Sequence, residues 1–89
     1  MITELLNERG DVYGDFGKGT KLEAAMLRLI ADSYKFHHNK PMDDIDMIYF
    51  SKIIMKLVRL AVSPKHLDSW VDLSGYATLV AFELQEESK

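Results

Sequence analysis

The sequence predicts an all-α fold: a small helical bundle built on a long antiparallel helical hairpin. The 89 residues include only five Gly and two Pro, which favours long helices over a sheet that needs many tight turns. Apolar residues recur at helical spacing along most of the chain. The stretch from about Asp43 to Glu87 contains two such patterns with a short turn between them, which predicts the hairpin. Because a chain this short supports one core, residues 1–89 are predicted to form a single domain.

The N-terminal part is predicted to contain a short helix, a glycine-rich loop and a further helix. Thr3 opens the short helix, which lasts about two turns. The segment 10–19 contains four glycines and is predicted to be a loop that no helix crosses. A T-x-x-E capping box at Thr20 then starts the further helix. This helix is predicted to fade near Phe36, before a polar connector that includes a proline.

The hairpin has start and stop signals of its own. Asp43 or Asp44 is predicted to cap its first helix, which continues to about Val62. Ser63-Pro64 resembles an N-cap followed by proline at the first helical position, so the last helix begins there or one turn later and continues to about Glu87. Two long helices joined by a short turn are antiparallel neighbours. The first of them is apolar over most of its circumference, which predicts burial on several sides.

Each hairpin helix also carries one stripe of charged residues. Lys52, Lys56 and Arg59 follow the i, i+4 and i+7 spacing that aligns side chains along a helix. Asp68 and Asp72 begin a matching stripe on the last helix. A turn at Ser63-Pro64 predicts these oppositions: Arg59 with Asp68, Lys56 with Asp72 or Val71, and Lys52 with Gly75 or Tyr76.

Two interpretations of the stripes remain open. Interhelical salt bridges would fix the register of the hairpin, although exposed ion pairs are individually weak. Alternatively, cations beside carboxylates in apolar surroundings can receive phosphate, either directly or through a divalent cation on Asp68 and Asp72. In the loop, the ring of Tyr13 can contact a base, but aromatic residues beside glycines also pack loops onto helices.

Composition excludes several classes of protein. The chain has no cysteine, which rules out disulfides and thiolate metal sites. A net charge of −3 disfavours general binding to duplex nucleic acid. No signal peptide or apolar run of roughly 18 residues is found, so we expect a cytoplasmic protein with no membrane contact. His37 and His38 are adjacent and cannot ligate one metal from one helix face.

Three segments carry a resemblance to a known family: E-R-G-D-V-Y-G-D-F, M-K-L-V-R-L-A and D-S-W-V-D-L-S-G-Y-A-T-L. They resemble a family of small phage and prophage proteins that is itself similar to the nucleotide modification associated domains. The resemblance covers nearly the whole chain and implies a phage-encoded protein in the host cytoplasm. The motif positions in this chain are Tyr13, Gly14 and Asp15 in the loop, and Lys56, Arg59, Asp68, Asp72 and Tyr76 in the hairpin.

A more distant resemblance is to all-α MazG-like nucleotide pyrophosphohydrolases. Their metal site uses an E-x-x-E pair on one helix and an E-x-x-D pair on another. Asp68 and Asp72 imitate the second pair at a different spacing, but the helix after Thr20 offers only Glu23, which the capping box uses. The first hairpin helix has Lys and Arg where carboxylates are needed. A magnesium-dependent hydrolase is therefore an alternative rather than the leading interpretation.

The leading hypothesis is a non-catalytic nucleotide-binding protein that needs no cofactor and sequesters a host nucleotide or a defence second messenger. The alternatives are the MazG-like hydrolase, which would use Mg²⁺, and a structural interaction module. A homo-oligomer, dimer or higher, is expected under all three, because such apolar helices expose too much surface in a monomer. The candidate ligand-binding residues are Lys52, Lys56, Arg59, Tyr13, Asp15, Asp68, Asp72 and Tyr76, with Asp68 and Asp72 the candidates for any metal.

Overall fold

A computed structural model of the protein describes residues 16–88. They form three helices: α1 (Phe16–His38), α2 (Asp44–Val62) and α3 (Leu67–Glu87). α2 lies in the middle and packs against both α1 and α3. The predicted all-α bundle is therefore confirmed, and its hairpin consists of α2 and α3. The short helix predicted at Thr3 and residues 10–15 of the predicted loop lie outside the described residues.

The start of α1 differs from the prediction for the glycine-rich segment. α1 begins at Phe16, so Gly19 is helical and Thr20 lies inside the helix rather than at its cap. The predictions of a loop as far as Gly19 and of a capping box at Thr20 are therefore wrong. A Cβ added at Gly19 would lie 3.4 Å from Val58 Cγ1, so α1 contacts α2 at this position. Packing against α2 thus outweighs the low helix propensity of glycine.

α1 ends at His38, two residues beyond its predicted end near Phe36, and α2 begins at a predicted cap. Asn39 has a φ of 56°, the left-handed conformation common after a helix, and its N–H donates to the Lys35 carbonyl at 2.8 Å. Asp43 is the N-cap of α2, where its Oδ1 accepts a hydrogen bond from the Ile45 N–H at 2.7 Å. Two more aspartates in the first turn of α2 complement the helix dipole.

The turn between α2 and α3 is short and held by side chains. α3 begins at Leu67, one turn after Pro64. Of the two predicted starts, Ser63-Pro64 itself or one turn later, the later one is correct. The Trp70 indole Nε1–H donates to the Pro64 carbonyl at 2.8 Å, which ties the first turn of α3 to the connection. His66 Nδ1 and Ser69 Oγ are hydrogen-bonded at 2.8 Å across the N-terminal turn of the helix. These contacts fix the angle at which the chain doubles back.

The core lies around α2, because this helix has a neighbour on either side. Ile54, Val58 and Leu60 are buried on α2, and Met42 is buried just before it. Ile54 is the most completely buried large side chain among the described residues, with 2% of its surface exposed. The prediction that the first hairpin helix is buried on several sides holds in part: α2 is buried towards α1 and α3, whereas Ile45, Ile48 and Val62 are about half exposed.

Gly75 does not face α2. A Cβ added at Gly75 would meet no heavy atom within 4 Å, and the residue is exposed on α3. The predicted alternative of Lys52 opposite Gly75 is therefore wrong, whereas the other alternative, Tyr76, is correct. Gly75 lies about 100° around α3 from Tyr76, which turns it away from Lys52.

Gly75→Ala is expected to stabilise the fold. Glycine in a helix interior costs about 0.5–1 kcal/mol relative to alanine, and the added methyl group has open space. We expect the midpoint of thermal unfolding to rise by about 2–8 °C in a domain of this size. Circular dichroism at 222 nm measures the change. A lower midpoint would mean that another surface packs tightly against Gly75.

Candidate functional site

The site begins with one ion pair between the hairpin helices. Lys56 Nζ on α2 donates to Asp72 Oδ2 on α3 at 2.9 Å. The two side chains differ in burial, since 6% of the lysine side chain is exposed against 54% of the aspartate side chain. A buried ammonium requires such a partner because desolvation of an unpaired charge is costly. Asp72 therefore holds Lys56 in place from the solvent side.

Tyr76 brings a second lysine into the same group. Its ring is half-buried one turn after Asp72, and two ammonium groups lie near the ring face. Lys52 Nζ is 5.6 Å from the ring centroid and Lys56 Nζ is 5.9 Å from it, both within the range of cation–π attraction. Lys52, Lys56, Asp72 and Tyr76 are called the Lys56 cluster below. It forms one edge of the hairpin, where an aromatic ring and two cations meet.

The predicted site residues are partly brought together. Lys52, Lys56, Asp72 and Tyr76 form the cluster, and the predicted partners of Lys56 and Lys52 include those observed. Arg59 is half-buried further along the same edge of α2, and Asp68 is exposed one turn before Asp72 on α3. The opposition of Arg59 and Asp68 stays a prediction. Tyr13 and Asp15 lie outside the described residues.

An apolar groove lies on the opposite edge of the hairpin from the Lys56 cluster. It runs between α2 and α3 with a volume of about 430 Å³. Sequence reasoning missed it, although a usable signal was present: Leu73, Ala77, Val80 and Leu84 alternate three- and four-residue spacings along α3. The groove is lined by Asp46, Tyr49, Phe50, Ile53, Leu73, Ala77, Val80 and Leu84.

One end of this groove is acidic. The pKa of the Tyr49 phenol is raised above its usual value, first by partial burial and then by the carboxylates of Glu83, Glu87 and Asp46. Both neighbouring helix ends supply these carboxylates, since α2 begins and α3 ends here. The last turn of α3 contains no basic residue that would offset the acidic groups.

Comparison with known proteins identifies the family of this chain. A family described as a domain of unknown function, DUF6378, matches residues 3–84. The chain belongs to this family. No curated protein and no solved structure matches it. Because the family description assigns no activity, the function of this DUF6378 domain must be argued from its own residues.

The side chains of the DUF6378 domain allow a test of the predicted metal pair. Asp72 Oδ2 already accepts the Lys56 ammonium at 2.9 Å, so a cation on Asp68 and Asp72 would have to displace it. Among residues 16–88, no three His, Asp or Glu side chains are grouped closely enough to hold a metal ion. Within the same residues, no helix has the length and apolar character needed to cross a membrane.

A smaller hollow lies where α1 ends and α2 begins. His37 and His38 are both exposed at this end of α1, and the rings of Tyr34 and His38 stack with centroids 4.2 Å apart. The hollow has a volume of about 280 Å³. Phe50 lines both this hollow and the groove between α2 and α3, so the two concavities meet at one ring.

Proposed function

We propose that this DUF6378 domain is a non-catalytic nucleotide-binding protein and that the Lys56 cluster is part of its ligand site. The observation that carries the proposal is the convergence of two ammonium groups on one tyrosine ring, at 5.6 and 5.9 Å. A nucleotide combines a planar base with anionic phosphate. An aromatic ring with adjacent cations complements both parts.

The burial of the two lysines suggests different roles. Lys56 is buried and held by Asp72, so its position is fixed but part of its charge is already compensated. Lys52 is exposed and can reach a phosphate without breaking that pair. In the proposed complex, Lys52 and Arg59 bind phosphate, Tyr76 contacts the base or sugar, and Lys56 adds positive potential beside the ring. The remaining candidates for ribose or base hydrogen bonds are Asp68, Asp72, Tyr13 and Asp15.

Sequestration is the proposed mode of action. A protein that binds a nucleotide without transforming it lowers the free concentration of that nucleotide, and this requires affinity alone. The resemblance of three segments to phage and prophage proteins supports a phage-encoded chain acting in the host cytoplasm. There it would remove a host nucleotide or a second messenger of host defence.

The hydrolase alternative has weaker support. A metal-dependent pyrophosphohydrolase needs carboxylates that are available to hold the cation, and Asp72 is engaged by Lys56. It predicts magnesium-dependent release of pyrophosphate or nucleoside monophosphate that disappears in Asp68→Asn, a change at an exposed position. Chromatography of nucleotides after incubation with the protein separates the two proposals, because sequestration leaves them intact.

Calorimetry with a panel of linear and cyclic nucleotides tests the proposed function. We expect at least one member to bind, and Lys52→Met to weaken its Kd at least about tenfold, since a charge-assisted contact to phosphate contributes about 1.5–3 kcal/mol. Lys40→Met is the matched control, because it removes an exposed lysine from the connector before α2. Absence of binding by every nucleotide would contradict the proposal, as would equal weakening by the two variants.

The homo-oligomer expected from the sequence is also part of this proposal. The described helices expose large apolar side chains that a partner would cover, among them Phe50, Leu57, Trp70 and Leu84. A pure interaction module would self-associate without binding nucleotide. Calorimetry and a measurement of oligomeric state therefore report on the two activities separately.

A further inference from the structure

We propose that the groove between α2 and α3 binds the same groove of a second copy, with the two hairpins antiparallel, so that the pair forms a four-helix bundle. The proposal assigns a surface to the homo-oligomer and does not depend on the nucleotide site, which lies on the opposite edge of the hairpin. It rests on three features of the groove: its apolar lining, the spacing of that lining and the distribution of charge along it.

The lining is apolar except at one end, where Asp46 and the Tyr49 phenol take part. Ile53 and Leu73 lie at the floor between the helices and are half-buried, whereas Ala77 and Leu84 are exposed on the α3 wall. Towards the turn, Leu57 and Trp70 are also exposed, with 37% and 49% of their surfaces accessible. Covering such a strip favours association by about 25 cal/mol per Å² of apolar surface buried, against the entropy cost of bringing two chains together.

The spacing of the lining fits a helix rather than a compact small molecule. Phe50, Ile53 and Leu57 follow i, i+3, i+7 on α2, and Leu73, Ala77, Val80 and Leu84 follow i, i+4, i+7, i+11 on α3. Alternating steps of three and four place side chains along one nearly straight seam, as in helix bundles. The row of apolar side chains on α2 and the row on α3 lie side by side, so they can pack against the same two rows of another hairpin.

Charge along the hairpin favours a second copy in the antiparallel orientation. The end where α2 begins and α3 ends carries six carboxylates against Lys35 and Lys40 at the end of α1 and in the connector, and we call it the acidic end. The six are Asp43, Asp44, Asp46, Glu83, Glu86 and Glu87. The opposite end carries Arg59 and Lys65 against the single carboxylate of Asp68, and we call it the turn end. Antiparallel pairing brings each acidic end beside the turn end of the other copy. Parallel pairing would place the two acidic ends together.

The helix dipoles add to this preference. The C-terminus of α3 carries partial negative charge from its unpaired carbonyls, and its last turn has no basic residue. Glu83 and Glu87 therefore lie where negative charge is least favourable, and with Asp46 they add to the effect of burial in raising the pKa of the Tyr49 phenol. The basic residues of a second copy's turn end would relieve this repulsion.

Ala77→Lys tests whether the groove is the interface. Ala77 is exposed, so a lysine there leaves the monomer fold intact but puts a charge into the seam. We expect analytical ultracentrifugation to show wild-type dimers and a self-association Kd raised at least about tenfold in the variant. Thr78→Lys is the matched control, because it lies about 100° around the same helix and is also exposed. Equal effects of the two variants would overturn the proposal.

Charge reversal tests the antiparallel orientation. In an antiparallel pair, Glu83→Lys with Glu87→Lys removes two of the six carboxylates and places two lysines beside Arg59 and Lys65 of the second copy, whereas Lys65→Glu places a carboxylate beside the acidic end of the second copy. Each variant alone is expected to dimerise at least about tenfold more weakly. Mixing the two variants restores opposite charges and should give a heterodimer close to wild-type affinity. A homodimer of the Glu83→Lys, Glu87→Lys variant as tight as wild type would overturn this orientation.

The other possible occupants of the groove give different results. A wild-type monomer at all accessible concentrations would overturn the proposal and leave residues 1–15 of the same chain, or an apolar small molecule, as the occupant. Calorimetry of the Ala77→Lys variant with nucleotides distinguishes the proposed groove interface from the proposed nucleotide site. Loss of dimer with retained nucleotide binding supports the groove as an interface, and retained dimer contradicts it whatever the nucleotide result.

Discussion

Ile54→Ala is expected to destabilise the fold more than any other single truncation in the described helices. Ile54 is 2% exposed in the middle of α2, where α1 and α3 flank the helix. Replacing a buried isoleucine by alanine costs about 2–5 kcal/mol, because the lost transfer free energy adds to the cost of a cavity. A domain of this length has a total stability of about 4–13 kcal/mol, so a large part of it would be lost.

Urea denaturation at a fixed protein concentration measures this effect. Fixed concentration matters because self-association also contributes to the apparent stability. Leu29→Ala is the matched control, since Leu29 is 70% exposed on α1, and its change should stay within about 0.5 kcal/mol. If Ile54→Ala and Leu29→Ala shift the midpoint equally, α2 is not the central helix of the bundle.

Asp72→Ala is expected to destabilise the fold by about 1–3 kcal/mol, and more than Lys56→Met does. The two partners of the ion pair differ in burial: 6% of the Lys56 side chain is exposed against 54% of the Asp72 side chain. Removing Asp72 leaves a buried ammonium without its carboxylate, and an unsatisfied buried group carries the full cost of desolvation. Removing Lys56 leaves a carboxylate that water can solvate, so the cost should stay below about 1 kcal/mol.

A double-mutant cycle gives the control for this prediction. Lys56→Met combined with Asp72→Leu replaces both charges by apolar groups and is expected to bring stability back close to that of the wild type. Urea midpoints of the two single variants and the double variant provide the comparison. Equal costs for the two single variants would show that the Lys56 ammonium reaches water, which would contradict its burial against Tyr76.

The hairpin could be predicted from the sequence because its signals are local and agree with one another. Asp43 caps α2, the Ser63-Pro64 pair marks the turn, and charged residues recur along one stripe of each helix. Once the turn is placed, helical spacing leaves little choice of register, so Lys56 and Asp72 fall opposite each other. The four clustered residues of the candidate site were accordingly all among the predicted ones.

The start of α1 and the apolar groove could not be predicted because both depend on tertiary packing. Glycines near Thr20 indicate a loop locally, but contact of Gly19 with α2 extends the helix through them. For α2, an apolar pattern around most of the circumference does not reveal which side chains face a neighbouring helix. Phe50 and Ile53 line an open groove, whereas Ile54 and Val58 are buried, and only the positions of α1 and α3 decide this.

α2 and α3 supply side chains to both edges of the hairpin, and this has a thermodynamic consequence. The spacing between Lys52 on α2 and Tyr76 on α3 depends on how far apart the two helix axes lie. A partner that fixes the distance between the two helix axes at the groove also sets the spacing between Lys52 and Tyr76. Any coupling free energy between the two edges would be reciprocal: a ligand at the Lys56 cluster and a second copy at the groove would change each other's affinity by the same factor, in either direction.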